Sequence, residues 1–295
     1  MRISIYIAVT LIAAAACTAC GGNAARTLRA EDGGKPKMLW FDAEANFTRF
    51  ASQDSIRYYL DRTVETGFNQ IVVDVRPVEG DVLYKSKFMT PLTDLKGNTV
   101  RRDWDYLQFF LDEARKRNLK VTVSTTIFPT GQPGYRQGPA YRDPQLAGRT
   151  CLENLPQGML DIKDDTAKVA TFLNPVLPEN REYAMRFIRE ILSKYRFDGY
   201  ALDYCRFPGG ESDFSPATRK AFEAYIGRKT ASWPADVFTY DANGARVPGP
   251  YYKQWWEFRS LIIRNFIADV RSSIKELQPS VKLEYWAASW LHAIY

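Results

Sequence analysis

The segment DGYALDYCRFP, residues 198–208, sets Asp198, Asp203 and Arg206 in one short apolar run ended by proline. Ionisable groups in a strand that is to be buried are expensive unless they are paired or used. Five residues of separation put the two aspartates on opposite faces of a strand and about 16 Å apart at a rise of roughly 3.3 Å per residue, too far for a catalytic carboxylate pair. Asp198, beside Gly199 where the strand begins, suits a cap or a turn. Asp203 ends the strand, with Arg206 near enough to keep it ionised. A charged carboxylate in a dry pocket suits attack on, or electrostatic support of, a carbon centre that becomes positive in its transition state. A plain Asp203–Arg206 ion pair closing the strand is the structural alternative.

Other strand ends carry polar groups too. Residues 37–43 (KMLWFDA) end in Asp42, residues 68–77 (FNQIVVDVRP) in Asp74 and Arg76, and residues 119–129 (LKVTVSTTIFP) carry Thr125 and Thr126. Between the strands, apolar residues recur at helical spacing: Ile56, Tyr59, Leu60 and Val64 before Gly67, then Leu107, Phe110, Leu111 and Ala114 behind Asp103 as N-cap. Phe187, Ile188, Ile191 and Leu192 follow a helix opened by Pro178. Residues 215–227 and 251–277 read as two further helices around a Pro/Gly-rich break, and residues 281–290 as a fifth strand. The stretch from 129 to 161 is Gly/Pro-rich and too long for a simple connection, as covers and binding loops are.

Strand and helix alternate, so the strands pair in parallel through right-handed crossovers. Continuous apolar strands imply a sheet covered on both faces. A doubly wound sheet would gather function at one switch point, whereas four strands here end in polar groups, as barrel enzymes arrange them. The fold class read from the sequence is therefore α/β, a (β/α)8 TIM-barrel type. About five of its eight strands are present, so the domain at 37–295 is expected to be incomplete at its C-terminal side.

Composition narrows the chemistry. The net charge of +6 is scattered rather than blocked, against nucleic-acid binding. The single histidine, His292, leaves no imidazole set for zinc and no upstream His-based triad. No glycine-rich phosphate loop follows any strand. No metal or other cofactor is implied. Cys151 and Cys205, far apart in sequence, read as two free thiols rather than a pair.

The order of three motifs resembles the glycosyl-hydrolase-like family 10 group, barrel proteins of alpha-amylase type often found as lipoproteins. They are Arg76-Pro77 followed by Gly80-Asp81-Val82-Leu83-Tyr84, then Asn174-Pro175, then Asp198-Gly199, Asp203, Arg206, Phe207 and Pro208. This chain departs from the group in having Asp74 where glutamine is common and VTVSTTIF in the third strand. The resemblance implies a glycoside hydrolase acting on an oligosaccharide or cell-envelope glycan. Asp203 would be nucleophile or stabiliser, with Asp74, Arg76, Asn174 and Arg206 shaping the sugar pocket. Glu284 in the fifth strand is the candidate second catalytic carboxylate, although its mid-strand position equally suits a buried or helix-facing side chain. Tyr204 and Trp290 are candidate sugar-stacking rings. A glycan-binding lipoprotein without catalysis is the alternative.

Residues 1–20, MRISIYIAVTLIAAAACTAC, have a positive start, an apolar run and small residues before cysteine, the pattern of a lipoprotein export signal. Cys17 follows three alanines and Cys20 precedes two glycines, so both are candidates for lipidation. Residues 21–36 read as a flexible linker. The implied place is the bacterial cell envelope, with a lipid anchor holding the domain to a membrane, periplasmic or surface-facing.

Overall fold

The computed structural model describes residues 29–30 and 34–287; Cys17, Cys20, His292 and Trp290 lie outside them. Five strands form one sheet: β1 (Met38–Phe41), β2 (Gln70–Asp74), β3 (Lys120–Thr126), β4 (Gly199–Asp203) and β5 (Lys282–Tyr285). Each pairs in parallel with the strand before it, in the spatial order β1-β2-β3-β4-β5. That unreversed order is a barrel wall, because a doubly wound sheet must change direction at a switch point. The intervening helices are α1 (Gln53–Glu65), α2 (Tyr106–Lys116), α3 (Pro178–Lys194), α4 (Pro216–Ile226) and α5 (Tyr252–Leu277). Among the described residues no helix is long and apolar enough to cross a membrane.

The sheet is curled. In a flat sheet β1 and β5 would lie about 19 Å apart, four spacings of roughly 4.8 Å. Yet Trp40 of β1 and Trp286, just past β5, bring their ring centroids to 4.3 Å. The register puts Trp40, Val72, Asp74, Ser124, Ala201, Asp203 and Glu284 on this concave face. The strands are thus less uniformly apolar than a sheet covered on both faces suggests. Their aliphatic residues alternate outward, where Ile71, Val73, Val121, Val123 and Leu202 pack against Leu60, Phe110, Ile188 and Ile191 of the helices. Small and polar residues turn inward. Gly199 fits this layer: a Cβ there would meet Thr122 Oγ1 at 2.5 Å and Glu284 Oε1 at 2.7 Å.

Local chemistry explains the helix limits. The N-cap of α2 is Asp105, not Asp103: the Asp105 carboxylate accepts the Gln108 N–H at 3.2 Å, while the Asp103 carbonyl accepts from Lys85. Pro178 opens α3, and Ser215 caps α4 by accepting the Thr218 N–H. The 129–161 stretch is built of short turns and an antiparallel hairpin, Leu152–Leu155 with Gly158–Asp161. It docks on the loop after β2, where Gly80 has φ +102° and a Cβ would stand 2.8 Å from the Thr130 Cα. Arg142 and Asp81 close that contact with an ion pair. A second aromatic core, around Phe214, Phe222, Phe238 and Trp255, joins α4, α5 and the hairpin Phe238–Tyr240 with Arg246–Pro248. Cys151 and Cys205 are buried free thiols.

Candidate functional site

A cavity of about 640 Å³ opens at the C-terminal ends of the strands. Asp42 after β1, Asp74 ending β2, Thr126 ending β3 and Asp203 ending β4 all line it. Parallel pairing brings these strand ends to one rim, which is how polar groups far apart in sequence converge. Thr125, one residue from Thr126, faces the other way and meets the Tyr200 hydroxyl at 2.6 Å.

Asp203 is half-buried, and removal from water pushes its carboxyl up to about 6. The Tyr204 N–H, donated to Asp203 Oδ1 at 2.8 Å, and the charge of Arg206 oppose that rise, while Asp42 adds to it. Tyr204 has φ +46°, in the left-handed region uncommon for a side-chain-bearing residue, and this turn aims its N–H back at the carboxylate. The expected Asp203–Arg206 ion pair does not form. Arg206 instead donates to the carbonyls of Phe207 (3.0 Å) and Pro208 (2.8 Å) and lies over the Tyr204 ring at 4.8 Å. Its guanidinium follows its own loop, so burial outweighs it in setting the charge of Asp203.

Asp74 is buried, and its carboxyl is raised well above the usual range, first by desolvation and then by the like charges of Asp42 and Asp203. It accepts the backbone N–H of Arg76 at 3.2 Å and that of Ala43 at 3.4 Å, not the Arg76 guanidinium. Burial and the two neighbouring carboxyl groups thus favour its neutral form, in which it can donate a hydrogen bond into the cavity.

Three residues expected to form the pocket stand elsewhere. Arg76 is fully buried behind the rim, donating to the carbonyls of Thr126 (2.6 Å) and Pro129 (2.9 Å) with its guanidinium over Phe187. Asn174 is also fully buried; its amide donates to Asp213 Oδ2 (2.7 Å) and Thr218 Oγ1 (2.9 Å), tying the loop before α3 to the start of α4. Glu284 points inward but below the cavity, where it accepts from Thr122 Oγ1 at 3.1 Å. Its register partner is Ala201, two residues short of Asp203. Trp290 lies outside the described residues.

The remaining walls come from connections. Glu44 accepts from Lys96 Nζ (2.7 Å) and Gln132 Nε2 (3.0 Å) on one side. On the other, Lys168 binds Glu153 at 2.9 Å and Glu211 at 2.6 Å. Tyr135, Val169 and Tyr204 add apolar surface. Asp42 was readable as a polar strand end, whereas the loop residues carry no periodicity that assigns them to a site. Among the described residues no cluster of His, Cys, Asp and Glu has the geometry of a metal site.

A curled parallel sheet of five strands with helices between them and three carboxyl groups on its C-terminal rim defines a protein of the (β/α)-barrel class. The chain matches the Glycosyl hydrolase-like 10 family over residues 37–290 and belongs to it. An S-layer-related protein of Niallia circulans is 31% identical over 278 residues, which are 89% of this chain and 17% of that protein. Glycosyl hydrolase DigH of Escherichia coli (strain K12) is 26% identical over 185 residues, 59% of this chain and 39% of that one. The chain thus spans well under half the length of these curated relatives. In fold it is similar to alpha-L-fucosidase isoenzyme 2 from Paenibacillus thiaminolyticus, with TM-score 0.59, 15% identity, 85% of this chain and 32% of that chain covered. It is also similar to the PgaB (BpsB) glycoside hydrolase domain from Bordetella bronchiseptica, with TM-score 0.55, 13% identity, and 84% and 63% covered.

Proposed function

We propose that the protein is a glycoside hydrolase that cleaves an oligosaccharide or envelope glycan at this cavity, with Asp203 as the group that gives and takes the proton. The observation behind the reading is the convergence of Asp42, Asp74 and Asp203 from three strands on one cavity, with Asp203 held up to about 6. Such a carboxyl is partly protonated near neutral pH and can pass its proton to the leaving glycosidic oxygen. Solvent-exposed Asp42 faces the same space in a different environment, and that contrast is what separates the duties of two carboxyl groups. Asp74, buried on the wall of the same cavity, holds a sugar hydroxyl. Water completes the hydrolysis.

Asp203→Asn is expected to cut the release of new reducing ends by about 10²–10⁴-fold while circular dichroism stays unchanged. In the wild type, kcat/KM should fall as pH rises through about 6, and this limb should be missing from the residual activity of the variant. Undiminished cleavage by Asp203→Asn would remove the residue from the mechanism. Glycan retention by the wild type with no new reducing ends would favour the non-catalytic binding reading.

The leader, together with Cys17 and Cys20, supports a lipid-anchored protein of the bacterial envelope. Labelled palmitate should enter the wild type and be lost when both cysteines are alanine; label retained in the double variant overturns the anchor.

A further inference from the structure

Tyr135 and Val169 line the cavity while being 61% and 70% exposed. A single exposed tyrosine needs no explanation. What sets this one apart is that the loop carrying it is fastened on every side. Gln132 and Gln137 exchange backbone hydrogen bonds at 2.9 and 3.3 Å across the turn Pro133–Tyr135. The Gln137 amide donates to the Asp94 carbonyl and accepts the Lys96 N–H, which ties the loop to the hairpin Asp94–Leu95 with Asn98–Thr99. Arg136 reaches Asp164 at 3.4 Å and lies over Tyr141 at 5.2 Å. Among the described residues no other aromatic ring packs on Tyr135. The backbone that carries the ring is therefore held in place at the rim, and the ring's surface is uncovered. A tyrosine held so offers a broad amphipathic face at little entropic cost to whatever lies on it.

We propose that Tyr135, with Val169 beside the same opening, is the stacking platform of an outer subsite, so that the substrate class is a glycan chain of several sugars rather than a single terminal residue. The inference rests on the cavity's being a glycan site. A volume of about 640 Å³ falls in the range that holds a ligand of several hundred daltons, more than one sugar ring. One ring beside Asp203 and Tyr204 would leave the space toward Tyr135 for its neighbour in the chain. The apolar face of that neighbour would cover the exposed ring, and its hydroxyls would meet the polar pair Glu44 and Gln132 on the same wall.

The test uses an array of bacterial envelope oligosaccharides from two to eight sugars, probed with Asp203→Asn so that nothing is cleaved, and with the same protein carrying Tyr135→Ala or Tyr135→Trp. Retention by the parent should rise with chain length. Tyr135→Ala should lower it about tenfold for the longer glycans and hardly for the disaccharides, Tyr135→Trp should retain it, and melting temperatures should agree. Retention independent of length, indifference to Tyr135→Ala, or no retention at all overturns the subsite. Whether the wild type cleaves what the parent retains decides the hydrolase reading separately.

Discussion

Asp198 and Asp203 flank the same strand, β4, one at each end, and are held in opposite ways. Asp198 is sewn into its neighbours: its carboxylate accepts the Val121 N–H at 2.8 Å, its N–H donates to the Val121 carbonyl, and its own carbonyl accepts the Lys282 N–H. Three strands are joined through one residue. The backbone carbonyl of Asp203 accepts the Ile127 N–H, but its carboxylate accepts only the Tyr204 N–H among the described residues, faces a cavity shared with Asp42 and Asp74, and is raised by burial. The N-terminal end of the sheet spends its polar groups on holding strands together, and the C-terminal end leaves its carboxyl groups for other partners. This is the division of labour expected of a barrel, in which stability and chemistry occupy opposite ends.

Arg76 tests how strict that division is, because it lies at the chemical end and yet acts as a brace. Methionine in its place would leave the carbonyls of Thr126 and Pro129 without donors, at about 1–3 kcal/mol for each buried group. Arg76→Met should therefore destabilise the protein by about 3 kcal/mol or more, read as a lower urea midpoint at unchanged slope. A midpoint equal to that of the wild type would mean that water replaces the guanidinium, and Arg76 would then not be a brace.

Asp198→Ala probes the opposite end with a smaller effect. It removes one acceptor from the β3–β4 ladder start and should cost about 1–2 kcal/mol in thermal or urea unfolding. The rate of glycan cleavage per folded molecule and its pH profile should not move. A changed pH profile would couple the two ends of β4 and erase the distinction between them.

How far the molecule could be read from its residues follows the same line. Strands and helices were legible because their apolar residues repeat at fixed periods, and Asp42, Asp74 and Asp203 stood out as polar groups where apolar runs end. Direction was not legible. Arg206 is three residues from Asp203, close enough for an ion pair, but its side chain follows the carbonyls of Phe207 and Pro208 instead. Arg76 and Asn174 belong to motifs with the look of a sugar site, while their hydrogen bonds go to carbonyls and side chains of the scaffold. Glu284 could be placed only once its register with Ala201 was known. Tyr135 and Lys96 reach the cavity from connections, where close approach depends on loop-to-loop contacts such as those of Gln137 rather than on any repeat.

An effect no larger than that of Asp198→Ala, and one that vanishes at low pH, is the most direct measure of what the chemical end costs. The carboxyl of Asp203 stands near 6 in the folded protein against 3.8 for an ordinary aspartate, so the folded state holds this proton more tightly than the unfolded chain does. Its contribution to stability is present below pH 4 and is lost as pH rises through about 6, because the folded protein must then keep a charge out of water. Asparagine keeps the shape and the acceptor for the Tyr204 N–H without that charge. Asp203→Asn should therefore be more stable than the wild type at pH 8, by about 1–2 kcal/mol after allowing for the partial exposure of the site, and the advantage should vanish by pH 4. Melting curves of both proteins across that range would show it. A variant that loses cleavage and gains stability only above pH 6 identifies the strain at Asp203 as the cost of its reactivity, as expected of a functional carboxyl. A difference that is constant with pH would trace the change to packing, and Asp203 would then resemble Asp198 rather than stand against it.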